Sequence, residues 1–212
     1  MNHNIFITGG TGYIGRRLIT KLLKRGHTVQ ALVRASSEYK IPSGCIKMIG
    51  DALDKASYSS RIQDTDTFIH LIGVPHPNPS KEKLFRDVDL VSIQAAVAAA
   101  KEAQIRHFIY LSVAQPLPSM NRYVEVRQEG ERLIHQSRLN ATIIRPFYIL
   151  GPGHWWPYLV MPLFWLTRNF YHHGQYRESM KFVTLEQMIH TLLTAVENPA
   201  NGIRIFNPSD IH

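Results

Sequence analysis

Three glycines follow the first apolar run of the chain, at Gly9, Gly12 and Gly15, with a spacing that suits phosphate binding. Without a Cβ, Gly9 can adopt the positive φ of a tight turn, Gly12 lets the backbone approach a pyrophosphate, and Gly15 lets the next helix pack closely. The free N–H groups and the positive dipole end of that helix then face the anion. The spacing predicts dinucleotide binding, and a purely structural strand–turn–helix is the alternative.

The residues on either side of this glycine turn support the first interpretation. Asn4 to Thr8 is typical of a buried strand. Apolar residues then recur at helical spacing behind the turn, at Ile14, Leu18, Ile19, Leu22 and Leu23. Because this context is that of a nucleotide-binding unit, we predict cofactor contacts from the turn and the helix start. The residues concerned are Gly9, Thr11, Gly12, Tyr13, Ile14 and Gly15.

Arg34 bears on which dinucleotide would bind. A site that prefers NAD usually places an acidic residue at the end of the second strand, about 20 residues after the turn, to bond the ribose 2′-OH. Here the second strand ends in Val33-Arg34. A guanidinium suits a 2′-phosphate, whereas the NAD ribose offers it no anion. The sequence therefore predicts NADP(H), with NAD(H) as the alternative cofactor and a surface arginine as the structural alternative. Arg16 is a second candidate donor.

Strands and helices must alternate to position these residues. Apolar runs alternate with helical patterns over the first 145 residues, which predicts an α/β fold with a Rossmann-like, doubly wound parallel sheet flanked by helices. Strands are expected near residues 3–8, 28–33, 46–49, 67–72, 107–112, 141–145 and 203–206. Helices are expected near residues 81–103 and 122–137, and another should begin after Thr184 as its N-cap.

The composition of the chain changes after Pro146, where a Gly- and Pro-containing loop leads into an aromatic-rich segment. No linker separates this segment from the rest, so we predict a single domain over residues 1–212 with a small substrate-side lobe at 146–183. We call this segment the aromatic lobe. Its aromatic side chains would form a core or a hydrophobic cover over the nicotinamide. The alternative is a patch that contacts a membrane surface or a protein.

Composition limits the class of protein. The chain has 212 residues, 44% of them hydrophobic, as expected for a globular domain. Cys45 is the only cysteine, so an intrachain disulfide is excluded and a cytoplasmic location is expected. The first residues lack the features of a signal peptide, and the longest apolar stretch, 158–167, contains a proline and is too short to span a bilayer.

The net charge of +8 raises the question of a nucleic-acid partner. The first 50 residues hold eight Lys or Arg residues against one acid, Glu38, and several of the basic ones fit the solvated face of the first helix. Exposed aromatics interleaved with basic residues are missing from this pattern, so we expect no nucleic-acid partner. His154, His172 and His173 lack the spaced third and fourth ligands of a zinc site, so we also expect no metal.

Several motifs occur in an order typical of one superfamily. They are Thr8-Gly-Gly-Thr-Gly-Tyr-Ile-Gly15, Gly50-Asp51, Phe108-Ile-Tyr-Leu-Ser112, a helix carrying Tyr123, Ile144-Arg-Pro146 and Gly151-Pro-Gly153. The chain thus resembles the extended and atypical short-chain dehydrogenase/reductase superfamily over almost its whole length. The likeness is strongest to compact NAD(P)-binding members, the NmrA-like proteins and the relatives of the complex I 39-kDa-type subunit. Fold follows from such a resemblance more directly than activity does.

The resemblance implies further cofactor contacts. Members of the superfamily hold the adenine edge with an aspartate after the third strand and with its neighbour, which correspond to Asp51 and Ala52. They also pass a loop of small residues beside the cofactor ribose, which corresponds to Leu71, Ile72 and Gly73. These positions should converge on one crevice, because ligands of doubly wound sheets bind at the carboxyl ends of the strands.

The resemblance also indicates where a catalytic group would lie. Conventional members use a tyrosine acid/base with a lysine four residues later, and this chain has Tyr123 with Arg127 in the lysine place. Arginine would stabilise tyrosinate by charge, although its planar fork differs from an ammonium. Ser112 is the candidate for orienting the substrate, but Val113 aligns with the usual serine position. For Tyr123, an ordinary helix-face tyrosine is the structural alternative.

Two functions fit this set of residues. The first is an NADPH-dependent oxidoreductase that acts on a small carbonyl or quinone-like substrate, with Tyr123 as proton donor. The second is a non-catalytic NADP(H)-binding protein that regulates or stabilises an unknown protein partner. The replaced lysine and the misplaced serine favour the second function, whereas the aromatic lobe favours the first. The sequence leans towards the enzyme.

Overall fold

Seven strands form the central sheet of the computed structural model, which describes residues 2–74, 78–115, 120–153 and 181–212. They are β1 (Asn4–Thr8), β2 (Thr28–Val33), β3 (Ile46–Ile49), β4 (Thr67–His70), β5 (His107–Leu111), β6 (Ala141–Ile144) and β9 (Ile203–Phe206). Neighbouring strands are parallel, in the order β3-β2-β1-β4-β5-β6-β9. Two further short strands, β7 (Tyr148–Leu150) and β8 (Phe182–Thr184), form a separate parallel pair.

Helices connect the strands on both faces of the sheet. They are α1 (Tyr13–Lys24), α2, which runs without a break through Glu82–Leu84, Phe85–Leu90 and Val91–Glu102, α3 (Asn121–Ser137) and α4 (Leu185–Glu197). The middle segment of α2 is a π-helix, a form that is rare and often found at functional sites. Helix α4 begins with the expected cap, because Thr184 Oγ1 accepts the Gln187 N–H at 3.1 Å and Gln187 Oε1 accepts the Thr184 N–H at 2.8 Å.

Two hydrophobic cores lie on opposite faces of the sheet. Since side chains alternate along a strand, Ile5 and Ile7 of β1 face one core and Phe6 faces the other. The first core packs α1 and α4 against the sheet, and the second packs α2 and α3. The predicted α/β fold with a doubly wound parallel sheet is confirmed.

The strand and helix predictions agree with the structure to within a few residues. Strand β4 ends at His70 and β5 at Leu111, slightly earlier than predicted. The strands β7 and β8 were not predicted, because three residues are too few to show an alternation of apolar and polar side chains. Of the predicted aromatic lobe, 146–183, residues 154–180 lie outside the described ranges.

The sheet order determines where a ligand would bind. Strand β1 pairs with β2 on one side and with β4 on the other, so the connections leave β1 in opposite directions along the sheet. A crevice forms outside the carboxyl ends of the strands at such a reversal. The glycine turn follows β1 directly and therefore lies at the mouth of this crevice.

Candidate functional site

The glycine turn after β1 has the geometry that its sequence predicts. Gly9 has a φ of +81°, and a Cβ there would lie 2.8 Å from the Leu71 carbonyl carbon. The Gly12 N–H donates to the Gly9 carbonyl at 3.0 Å and closes the turn. A Cβ on Gly15 would collide with the Gly9 carbonyl oxygen, so helix α1 can pack against the turn only with glycine at this position. No described side chain caps the start of α1, which leaves its first N–H groups facing the crevice.

A cavity of about 420 Å³ lies beside this turn. It brings together nine of the predicted cofactor residues, namely Gly9, Thr11, Gly12, Arg34, Asp51, Ala52, Leu71, Ile72 and Gly73. Tyr13, Ile14 and Gly15 belong to the adjoining start of α1 and do not line it. The loops after β1, β2, β3 and β4 thus converge on one cavity, which is large enough for part of a dinucleotide.

The cavity has eight further lining residues that were not among the predicted cofactor contacts: Leu32, Val33, Ser37, Gly50, Leu53, Val74, Leu84 and Val88. Leu84 and Val88 come from helix α2, where they are four residues apart and hence on one face. This spacing was visible in the sequence, but only the fold shows that this face of α2 reaches the carboxyl ends of β1 and β3. Leu84 is 45% exposed and Leu53 is 38% exposed, so both present apolar surface to a ligand.

Arg34 and Ser37 form the end of the cavity next to β2. Arg34 is exposed and precedes a short 3₁₀-helix, Ala35–Lys40, in which the Ser37 N–H donates to the Arg34 carbonyl at 2.8 Å. Within the described ranges no carboxylate pairs with the Arg34 guanidinium. The nearby Glu38 carboxylate lies 3.4 Å from Lys47 Nζ instead. This end of the cavity therefore offers a hydroxyl and a positive charge that no described carboxylate compensates.

Asp51 is held in a compact loop after β3. Its Oδ1 accepts the Leu53 N–H at 3.0 Å, and its own N–H donates to Ser57 Oγ at 3.0 Å. Ser57 in turn donates to the Asp51 carbonyl at 2.8 Å. These bonds keep Asp51 and Ala52 at the rim of the cavity, where the resemblance places contacts to the adenine edge.

Arg127, the residue in the lysine place, is buried and has several partners. Its Nη2 lies 3.0 Å from Asp89 Oδ2, and its Nη1 donates to the carbonyls of Ile72 at 3.2 Å and Leu111 at 3.1 Å. The guanidinium carbon also lies 5.1 Å from the centre of the Tyr123 ring. Burial alone would lower the pKa of Arg127, but Tyr123, Tyr110 and Asp89 together raise this pKa above its ordinary value, so the guanidinium is charged.

Tyr123 lies on helix α3 next to Arg127 but does not line the cavity described above. Its ring is partly buried and packs on Phe85, with 5.1 Å between the ring centres. The ring thus contacts Phe85 of the π-helical segment and the guanidinium of Arg127. Its role as a proton donor stays a prediction.

Ser112 is buried, and its hydroxyl donates to Glu131 Oε1 at 2.5 Å. The same carboxylate accepts two hydrogen bonds from Arg145, at 2.9 Å from Nε and 2.5 Å from Nη2. Val113, which aligns with the usual serine position, is buried as well. The Ser112 hydroxyl is therefore engaged with helix α3, and its role in orienting a substrate stays a prediction.

The described residues show neither a metal site nor a membrane-spanning helix. In those ranges, no group of three His, Cys, Asp or Glu side chains is arranged to hold a metal ion. His154, His172 and His173 lie outside them. No described helix has both the length and the apolar character needed to cross a bilayer.

Known proteins share this fold and sequence pattern. Residues 9–152 match the protein family described as NAD(P)H-binding. The chain is 28% identical to a ceramide reductase of Caulobacter vibrioides, over 70% of this chain and 47% of that protein. It is 24% identical to a 4-hydroxy-2-methyl-3-oxo-4-farnesyl-3,4-dihydroquinoline-1-oxide ketoreductase of Stigmatella aurantiaca, over 69% of this chain and 50% of that protein. The chain thus spans about half the length of these two relatives.

Solved structures show the same architecture. The enzyme WbmH of Bordetella bronchiseptica, in complex with NAD⁺, superposes with a TM-score of 0.73 at 20% identity, over 98% of this chain and 76% of that one. MoeE5 in complex with UDP-glucose and NAD superposes with a TM-score of 0.70 at 19% identity, over 95% of this chain and 74% of that one. At such identities the likeness concerns the fold. The chain belongs to the NAD(P)H-binding family, as its resemblance to the extended and atypical short-chain dehydrogenase/reductase superfamily implies.

Proposed function

We propose that the protein is an NADP(H)-dependent oxidoreductase that acts on a small carbonyl or quinone-like substrate. The proposed preference for NADP(H) is supported by the position of Arg34, which lines the β2 end of the cavity next to Ser37. The charge at this end of the cavity complements a 2′-phosphate, and the Ser37 hydroxyl adds a second donor. An acidic residue, which would favour the 2′-OH of NAD, is replaced here by the arginine itself.

The residues of the cavity fit a dinucleotide. The turn at Gly9–Gly12 and the start of α1 would hold the pyrophosphate, and Asp51 with Ala52 would hold the adenine edge. When bound, the reduced nicotinamide supplies hydride. In this proposal Tyr123 holds the proton that a substrate oxygen would receive.

The substrate class rests on relatives and on the resemblance. The two relatives named above are a ceramide reductase and a ketoreductase of a dihydroquinoline oxide, and both names describe reduction of organic molecules. Because the chain spans only about half of each, their activities support the proposal without identifying a substrate. A small carbonyl or quinone-like compound is the chemical class that fits a hydride donor and the aromatic residues that the sequence predicts on the substrate side.

Two dissociation constants test the cofactor proposal. Arg34→Ala should weaken NADPH binding by about 10- to 100-fold, the usual contribution of a charge-assisted hydrogen bond, and should change NADH binding far less. Arg132→Ala is the matched control, because Arg132 is an exposed arginine of helix α3, where it pairs with Glu129. Equal losses of both nucleotides in Arg34→Ala would contradict the preference for NADP(H).

A second function, a non-catalytic NADP(H)-binding protein with a regulatory or structural role, is favoured by one observation. Arg127, in the place of the catalytic lysine, is engaged with Asp89, and Ser112, the candidate for orienting a substrate, is engaged with Glu131. A panel of quinones and aldehydes, with NADPH oxidation followed by absorbance, separates the two functions. Turnover that Tyr123→Phe abolishes supports the enzyme, and the absence of turnover in a protein that binds NADPH tightly supports the second function.

A further inference from the structure

Arg127 connects three elements below the cofactor cavity. It lies on helix α3, and its Nη1 donates to the carbonyls of Ile72 after β4 and Leu111 at the end of β5. Its Nη2 pairs with Asp89 of the π-helical segment of α2. The planar guanidinium can satisfy these acceptors at once, because its donors point outward in a fixed fork.

Asp89 links this guanidinium to the wall of the cavity. While Oδ2 faces Arg127, Oδ1 accepts the Val74 N–H at 2.8 Å. Both side chains are almost fully buried, with 5% of Arg127 and 1% of Asp89 accessible. Ile72 and Val74, the residues bonded to this pair, line the cavity. The pair therefore holds the segment 72–74 from two sides.

Gly73 shows how closely the wall approaches the guanidinium. A Cβ at this position would collide with Arg127 Nη2. The backbone of the wall therefore packs directly against the guanidinium, with no room for a methyl group between them. This contact ties the shape of the cavity to the position of Arg127.

We propose that Asp89 and Arg127 act together as positioning residues that hold the cavity wall at residues 72–74 in the shape that binds the dinucleotide. The proposal rests on the cofactor site proposed above and gives Arg127 a role different from that of the lysine it replaces. Its charge is balanced by Asp89, and its two terminal nitrogens donate to Asp89, Ile72 and Leu111. The Arg127 guanidinium acts on the cofactor through the wall.

The test compares NADPH dissociation constants of variants of the whole chain, measured well below their unfolding temperatures. Arg127→Met and Asp89→Asn should each weaken NADPH binding at least ten-fold. The double variant should lose no more than the worse single variant, because both changes break one unit. Arg145→Met is the matched control, since it removes a different guanidinium that pairs with a buried carboxylate, Glu131 of α3, and its NADPH affinity should stay within two-fold of the wild type.

Gly73→Ala keeps both charges and provides a test that does not depend on a buried unpaired charge. It should weaken NADPH binding by a similar factor, and this loss should shrink when Arg127→Met removes the guanidinium that the methyl group meets. Folded Arg127→Met and Gly73→Ala variants that bind NADPH as well as the wild type would overturn the positioning role alone. A wild-type protein that binds neither NADPH nor NADH would overturn the proposed function as well.

Discussion

The Ser112 hydroxyl donates a hydrogen bond to the buried Glu131 carboxylate across 2.5 Å, which joins the end of β5 to helix α3. Arg145, which directly follows β6, donates to the same carboxylate through two nitrogens. A paired carboxylate in this position connects two strand ends and a helix. We therefore expect loss of the Glu131 carboxylate to lower the free energy of unfolding.

Removing Glu131 should destabilise the protein more than removing the Ser112 hydroxyl. Ser112→Ala deletes one hydrogen bond to a charged group and should lower the free energy of unfolding by about 1.5–3 kcal/mol. Glu131→Ala leaves the mostly buried Arg145 without its carboxylate and should cost on the order of 3–5 kcal/mol. Urea unfolding measures both values. The reverse order would show that Glu131 is not the centre of this cluster.

Two glycines with nearly the same positive φ should respond differently to alanine. Gly9 and Gly202 have φ values of +81° and +80°, but a Cβ would meet the Leu71 backbone at 2.8 Å only in the first case. Gly202→Ala should cost about 1–2 kcal/mol, from the positive φ alone. Gly9→Ala should cost about 1–3 kcal/mol more and should weaken NADPH binding. Thermal unfolding and a binding titration check this, and equal costs would contradict the close approach.

Leu84 tests the apolar side of the cavity. Leu84→Ala removes apolar surface that lines the cavity and should weaken cofactor binding by about five-fold, which corresponds to roughly 1 kcal/mol. Val91→Ala, at another partly exposed apolar position of α2 that does not line the cavity, should leave the dissociation constant unchanged. Fluorescence titration with NADPH measures both. A similar loss in both variants would indicate a general effect on the helix.

Buried histidines should make the protein less stable in mild acid. Burial, assisted by Arg127, lowers the pKa of His70 to about 3, and burial, assisted by Arg204 and His3, lowers the pKa of His107 to about 4. Below the ordinary pKa of about 6.5 the unfolded chain binds protons that the folded chain does not. Stability is therefore complete above that pH and declines as the pH falls towards the folded-state values.

The expected slope is about 1.4 kcal/mol per pH unit for each of these histidines in the region below pH 6. His107→Gln should remove one such contribution, so its unfolding free energy should fall less steeply between pH 6 and pH 5 than that of the wild type. Urea unfolding at several pH values gives the two slopes. Equal slopes would show that His107 takes up a proton in the folded state.

The sequence alone determined the fold class and predicted nine of the residues that line the cavity. Apolar periodicity predicted the strands β1 to β6 and β9, because buried parallel strands are short apolar runs between helical patterns. The glycine turn and Arg34 were predicted from local requirements: a positive φ, a close backbone approach and a charge at a strand end. Such requirements involve residues that are near one another in the chain, so their spacing can be read directly.

Only the tertiary structure decided which distant residues meet. Leu84 and Val88 line the cavity, and Asp89 pairs with Arg127 across 38 positions of the chain, because α2 packs beside α3 on one face of the sheet. The resemblance predicted that the charge of Arg127 would act on Tyr123, and the guanidinium carbon lies 5.1 Å from the centre of that ring. The folded chain also surrounds Arg127 with the carboxylate and carbonyls of other elements, and no spacing along the chain reports such contacts.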